Sequence, residues 1–213
     1  MFYNIKNEIK MDKKILITGT GIISAMGRNT REVAMNLYKG KCGLHHDEDR
    51  WDYISDLCGK VPSWKEDYLS ILTHAQYKCM PAHGFFVLDA VFEALKKAKV
   101  SKEFLENHNV SLIVSNDSEC YESADLVKHV KSDADNRKLP VTTLFNTLNS
   151  AISMNLATIL GIHGLSLTIS AACAGGGHAI GLAKMLLDSN QTEMVIVIGA
   201  QEAEPNYCME AFD

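Results

Sequence analysis

Apolar positions along the chain switch between two periods, and the switches predict an alternating α/β order. Residues 15–18 (Ile15, Leu16, Ile17, Thr18) form a short continuous run that predicts a buried strand. The run passes through Gly19, Gly21 and Gly27 into a helix, with Thr30 placed as its N-cap and Glu32 and Val33 in the first turn. Residues 41–83 are polar and irregular, carry Trp51, Tyr53, Trp64 and Tyr68, and predict an excursion with a short helix near 65–74. Residues 85–100 repeat at helical spacing: Val87, Leu88, Val91, Phe92, Leu95 and Ala98 share one face, while Asp89, Glu93, Lys96 and Lys97 take the other. A strand is predicted over 109–114, a helix over 120–130, a charged loop over 131–139 and an apolar helix over 145–160. Met194, Val195, Ile196, Val197 and Ile198 predict a strand buried on both faces. Strands alternating with helices of this length imply a parallel or mixed sheet covered on both sides.

The chain is organised around residues 166–181. Leu167, Thr168 and Ile169 have strand character, a bend of small residues follows with Cys173 at its apex, and an apolar helix carries Ile180, Leu182, Met185, Leu186 and Leu187. A strand–turn–helix that presents a nucleophile at the turn is a nucleophile elbow in the physical sense. The first N–H groups of the helix lack intrahelical partners, and its dipole places about half a positive charge there, a field that favours thiolate over thiol. Gly175, Gly176, Gly177 and Gly181 each cost a helix about 1 kcal/mol relative to alanine. Such a cost is carried where backbone must lie close to a strand, another helix or a ligand. A cysteine among alanines is also an ordinary inert core residue, and the local pattern alone leaves both readings open.

Composition narrows the classes. The chain has 213 residues, 46% hydrophobic and 22% charged, enough for a sizeable core. A net charge of -5 argues against nonspecific nucleic-acid binding. The six cysteines include no C-x-x-C pair, and reduced thiols in a cytoplasmic protein fit them best. The first ten residues lack a signal-peptide core, and no apolar run reaches the roughly 20 residues of a membrane span. Two metal readings are set aside: consecutive His45, His46, Asp47, Glu48 and Asp49 do not converge on one ion, and His74, Cys79 and His83 are interrupted by Pro81 without a fourth ligand. A dinucleotide fingerprint at Gly19-x-Gly21 fails because Ser24 stands where the third glycine belongs and no acidic residue ends a second strand.

Ala172-Cys173-Ala174 followed by Gly177-His178-Ala179-Ile180-Gly181 resembles the active-site segment of the β-ketoacyl-[acyl carrier protein] synthases, condensing enzymes of the thiolase superfamily. The likeness covers residues 13–213 and is strongest at 15–43 and 161–203. It takes in Gly19, Gly21, Ser24, Gly27, Asn29 and Thr30, the exit through Leu37, Gly40 and Gly43, the turn Gly161-Ile162-His163-Gly164, and Gly199-Ala200-Gln201-Glu202-Ala203. Leu165 stands where the family usually has proline, and the polar Ser115-Asn116-Asp117-Ser118-Glu119 replaces a glycine-rich turn near the acyl pocket.

The resemblance implies an α/β fold: the thiolase-like, N-terminal βαβαβ half of an α-β-α-β-α layered architecture. Residues 1–12 are expected to be an N-terminal arm and 13–213 that half-domain, with the C-terminal half absent. It implies decarboxylative Claisen condensation of acyl and malonyl thioesters on acyl carrier protein, of fatty-acid or polyketide and polyene type. Cys173 would be the acylated nucleophile, its backbone N–H would serve the oxyanion, and Ser118 and Ile152 would touch the acyl chain. No cofactor or metal is implied. The expected partners are acyl carrier protein, a second copy in a homodimer, and the missing half or a second chain bringing two histidines. His178 lies five residues past Cys173, about 140° round a helix, so it does not face the thiol and is expected to pack or hydrogen-bond. The 213 residues alone are therefore expected not to condense. Two alternatives remain: a non-catalytic half-chain or chain-length partner in a condensing complex, and a thiolase-superfamily enzyme using coenzyme A thioesters. Chain-length subunits typically lack the nucleophile that this chain retains.

Overall fold

The computed structural model describes residues 14–51, 53–61, 63, 67–117, 120–132 and 141–201; the expected arm at 1–12 lies outside them. In chain order the elements are α1 (Thr30–Tyr38), β1 (His45–His46), β2 (Leu57–Cys58), α2 (Tyr68–Ile71), α3 (His74–Cys79), α4 (Ala82–Ala98), α5 (Lys102–Asn107), β3 (Val110–Ser115), α6 (Cys120–Ser132), α7 (Val141–Asn146), α8 (Ala151–Leu160), β4 (Ser166–Ile169), α9 (Gly175–Asp188) and β5 (Met194–Gly199).

Three of the strands form a parallel sheet in the order β4-β3-β5. All six residues of β3 are buried. Strand alternation sends Val110, Leu112 and Val114 into the main core with Leu88, Val91, Leu95, Ile152 and Leu156 from α4 and α8. Ile113 points the other way, against Ala179 and Ala183 of α9. β5 divides similarly: Ile196 and Ile198 join the main core, whereas Val195 and Val197 pack under α9 and stay half-buried. The expectation of a strand buried on both faces thus holds for one face only.

The first predicted strand is not a strand. Residues 15–18 carry no ladder among the described residues, and Leu16 and Ile17 are 75% and 84% exposed. Among the described residues β4 and β5 each have an outer edge without a strand, and residues 15–18 pair with neither. The segment is held instead by its glycines. A Cβ at Gly19 or Gly21 would run into the carbonyls of Ala94 and Ala90 on α4.

The same helix anchors the next turn through Glu93. Its carboxylate accepts the Ile22 N–H at 3.2 Å and the Thr30 N–H at 3.0 Å, and pairs with Lys97 at 2.7 Å. The N-cap of α1 is Asn29, not Thr30: its side chain accepts the Glu32 N–H at 2.9 Å. Glu32 answers by accepting from the Arg28 N–H and the Asn29 amide, and Thr30 becomes the first helical residue.

The excursion over 41–83 holds more structure than its polarity suggested. β1 and β2 pair antiparallel, and the buried Arg50 donates to the Ser55 carbonyl across the intervening loop. One short helix becomes two, α2 and α3, the second closed by a capping box between Thr73 and Gln76. The predicted helix over 145–160 is likewise split into α7 and α8 by a turn at 147–150.

Glu93 generates a pH prediction. Burial, the largest single influence, pushes its carboxyl pKa up, but Lys97 and the Thr30 and Ile22 N–H groups together outweigh burial and hold it below the ordinary value. A depressed folded-state pKa adds stability that is fully present above the unfolded value of about 4.3 and is lost as pH falls through the folded one. Glu93→Ala is expected to lower unfolding free energy by about 2 kcal/mol at pH 7. Urea titrations should show that gap narrowing below about pH 4.3.

Candidate active site

β4 delivers the chain to the elbow. Its outer face is fixed by a 2.7 Å hydrogen bond between Thr168 Oγ1 and Ser153 Oγ of α8, and Ile169 packs under α9. After Ser170 the backbone turns through Ala171 and a 3-10 turn, Ala172–Ala174, directly into α9. Cys173 is therefore one residue before the helix N-cap, Ala174, and it is exposed. The first turn of α9 has no acidic side chain of its own and no side-chain cap.

Ala172 carries the strain of the turn. Its φ is 45°, in the left-handed region, which costs a non-glycine residue roughly 1–2 kcal/mol. The amides around it are engaged: Ala172 N–H donates to Asp117 Oδ2 at 2.6 Å, Ala174 N–H to the Ala171 carbonyl at 3.1 Å, and Gly175 N–H to the Ala172 carbonyl. Among the described residues the Cys173 N–H has no partner. A thiol and an amide donor thus lie on the same residue at an exposed helix start, which suits attack on a carbonyl carbon with the oxyanion held beside it.

The glycines of α9 separate into two kinds. Gly175 is buried, and a Cβ there would collide with Ser115 Oγ and come within 3.2 Å of Ser115 Cβ. This is the close approach that the small-residue elbow predicted, and it seats the helix start on the end of β3. Gly176, Gly177 and Gly181 have nothing within 4 Å among the described residues, so at these three the expected close neighbour is not there. His178 is exposed on the same flank, which corrects the packing half of its expectation only: α9 turns its alanines, not His178, towards the sheet.

Of the remaining site expectations, Ile152 on α8 is fully buried in the main core, and Ser118 lies outside the described residues. His46 Nδ1 meets Asp56 Oδ2 in a 2.8 Å hydrogen bond and Asp47 meets Lys60 in an ion pair at 2.8 Å, so the acidic and histidine run of the excursion is taken up by contacts around β1 and β2. Among the described residues no group of three or more His, Cys, Asp or Glu side chains is arranged to hold a metal ion. A cavity of about 440 Å³ lies between α4 and α8 and includes Phe92, Leu95, Leu105 and Ile159; none of its lining residues belongs to the elbow. Sequence reasoning missed Asp117 as a partner of the elbow. The signal was present, a polar run at the end of a strand, but nothing local says that its carboxylate reaches a turn 55 residues away.

The family model "Beta-ketoacyl synthase, N-terminal domain" matches residues 12–213. The chain belongs to the β-ketoacyl synthase family. It is 26% identical over 203 residues to 3-oxoacyl-[acyl-carrier-protein] synthase 1 of Buchnera aphidicola subsp. Acyrthosiphon pisum, covering 93% of this chain and 49% of the relative. Against the Escherichia coli K12 synthase of the same name it is 27% identical over 197 residues, 89% of this chain and 47% of that one. The chain thus spans about half the length of the curated relatives it matches. Among solved structures, the ishigamide ketosynthase/chain length factor superposes with a TM-score of 0.78 at 19% identity, over 92% of this chain and 49% of that one. A type II PKS acyl-carrier protein in complex with its ketosynthase gives 0.70 at 18% identity, over 92% and 47%. These neighbours share the fold, and the thiolase-like α/β arrangement expected from the sequence is the one observed.

The two kinds of glycine predict opposite responses to alanine. Gly175→Ala should destabilise by about 1–3 kcal/mol, since the helix start must lift from Ser115. Gly176→Ala should be neutral or stabilising by up to about 1 kcal/mol, since only helix propensity changes. Urea unfolding of both variants checks the contrast.

Proposed function

We propose that this β-ketoacyl synthase domain forms an acyl-enzyme on Cys173 and serves decarboxylative Claisen condensation on acyl carrier protein. The observation that carries the reading is the placement of Cys173: exposed, one residue before the N-cap of α9, with its own N–H unpartnered among the described residues. Cys173 Sγ attacks the acyl thioester carbonyl, a C–S bond forms, and the carrier thiolate leaves with the acyl group transferred. A malonyl thioester then loses carbon dioxide, and its carbanion attacks the acyl-Cys173 carbonyl. The new C–C bond forms as the C–S bond to Cys173 breaks, regenerating the thiolate. During both attacks the Cys173 N–H stabilises the oxyanion. Ser118 and Ile152 are proposed to face the acyl chain.

The chain matches about half of its curated relatives, so in this reading the groups that promote decarboxylation come from outside these 213 residues, in the same polypeptide or in a second one. The 213 residues alone are proposed not to condense. We also read the protein as a cytoplasmic homodimer. Exposed Leu144, Phe145, Leu148, Met154 and Leu165 gather apolar surface around α7, α8 and the approach to β4, and a second copy would bury it.

Iodoacetamide under native conditions is expected to label Cys173 ahead of the other five cysteines. In the full-length enzyme Cys173→Ala should lower condensation on the order of 10³-fold or more. Preferential labelling elsewhere, or acyl transfer that survives the substitution, would favour a chain-length partner role instead. Light scattering of the full-length protein at micromolar concentration should give a dimer; a monomer contradicts the assembly.

A further inference from the structure

β3 and β4 are parallel neighbours, so both leave the sheet at the same end. The end of β3 is fixed from several directions. Asn116 N–H donates to the Ile169 carbonyl at 3.1 Å, and Ala200 N–H donates to the Ser115 carbonyl at 2.9 Å. Asn116 is 1% exposed, and its side-chain amide donates to the Asn149 carbonyl at 3.1 Å. Asp117 follows immediately, and from this anchored position its Oδ2 accepts the Ala172 N–H at 2.6 Å. That is the short separation of a charge-assisted hydrogen bond. Ala172 is also the residue held at φ 45°, directly before Cys173. An alanine persists in that conformation only where its surroundings over-determine it.

We propose that Asp117 is a positioning residue for the nucleophile: its carboxylate, fixed at the end of β3, holds the Ala172 peptide in the left-handed conformation and thereby sets the direction in which Cys173 leaves the turn. This rests on Cys173 being the nucleophile and adds the part that aims it. The same bond occupies the Ala172 N–H, which leaves the next amide, that of Cys173, for an oxyanion. The role is positional rather than electrostatic, since a carboxylate near a thiol disfavours its thiolate. The two effects oppose one another and are separable by substitution. Asp117→Asn removes the charge and keeps an acceptor oxygen; Asp117→Ala removes both.

The test is the iodoacetamide alkylation rate of Cys173, read by mass spectrometry against exposed Cys42 in the same molecule. D117N is expected to match or exceed the wild-type ratio, and D117A to fall about 5-fold or more below D117N, the factor that one hydrogen bond supports. Equal ratios in the two variants overturn the proposal. Labelling of Cys58, 2% exposed in the fold, reports any unfolding of D117A. Amide exchange on the unsubstituted chain then decides independently: Ala172 should be protected well beyond Cys173, and equal exchange at the two overturns the proposal. If wild-type Cys173 reacts no faster than Cys42, the nucleophile reading fails, while the D117N to D117A ratio still judges Asp117.

Discussion

Every residue of β3 is buried, and each of its edges carries a parallel partner, so its backbone polar groups have no solvent to turn to and must be satisfied by the ladder. That requirement fixes much else. The register Ser115↔Ile169 and Ser115↔Gly199 aligns the ends of three strands, and the loops that leave them meet on one edge of the sheet. The elbow, the start of α9, and Asn116 with Asp117 are all attached to those aligned ends. An exposed, strained turn of alanines is stable there because it is hung between two strands that cannot shift.

The two faces of the sheet are covered by different means. On one, α4 and α8 contribute large aliphatic side chains, and Val110, Leu112, Val114, Ile152 and Leu156 interlock in a thick core. On the other, α9 offers Ala179 and Ala183, with Gly175 at its start, so it lies close to β3. Closeness is what the elbow needs: the helix N-terminus, with its partial positive charge, is brought against the strand end instead of being held off by side chains. The same choice leaves Ile180 and Met185 on the outer flank of α9, 62% and 66% exposed.

α4 links this centre to the N-terminal segment through a mixture of shape and charge. Gly19 and Gly21 let the chain run against its backbone, and Glu93 gathers two N–H groups and a lysine at the point where the chain turns into α1. Together these hold residues 19–30 in place without a strand ladder. The Asp47–Lys60 ion pair, the His46–Asp56 hydrogen bond and the short ladder of β1 and β2 do similar work for a stretch too polar to enter the core.

By itself the sequence marked the three segments that form the parallel sheet, together with one at 15–18 that does not, and it determined the α4 helix and Cys173 at a strand–turn–helix bend; periodicity and small-residue content are local properties, and they are written residue by residue. It also determined the family resemblance that the comparisons bear out over residues 12–213. The cap of α1 is a local choice, read from the sequence as Thr30, that Asn29 takes by accepting the Glu32 N–H three residues on. Only the tertiary structure decided which apolar run becomes a strand: residues 15–18 and 194–198 read alike, but only 194–198 finds a ladder partner, in β3. It alone brought Asp117 to Ala172 and Ser115 to Gly175, contacts between strand ends far apart in the chain whose partners no local pattern can name.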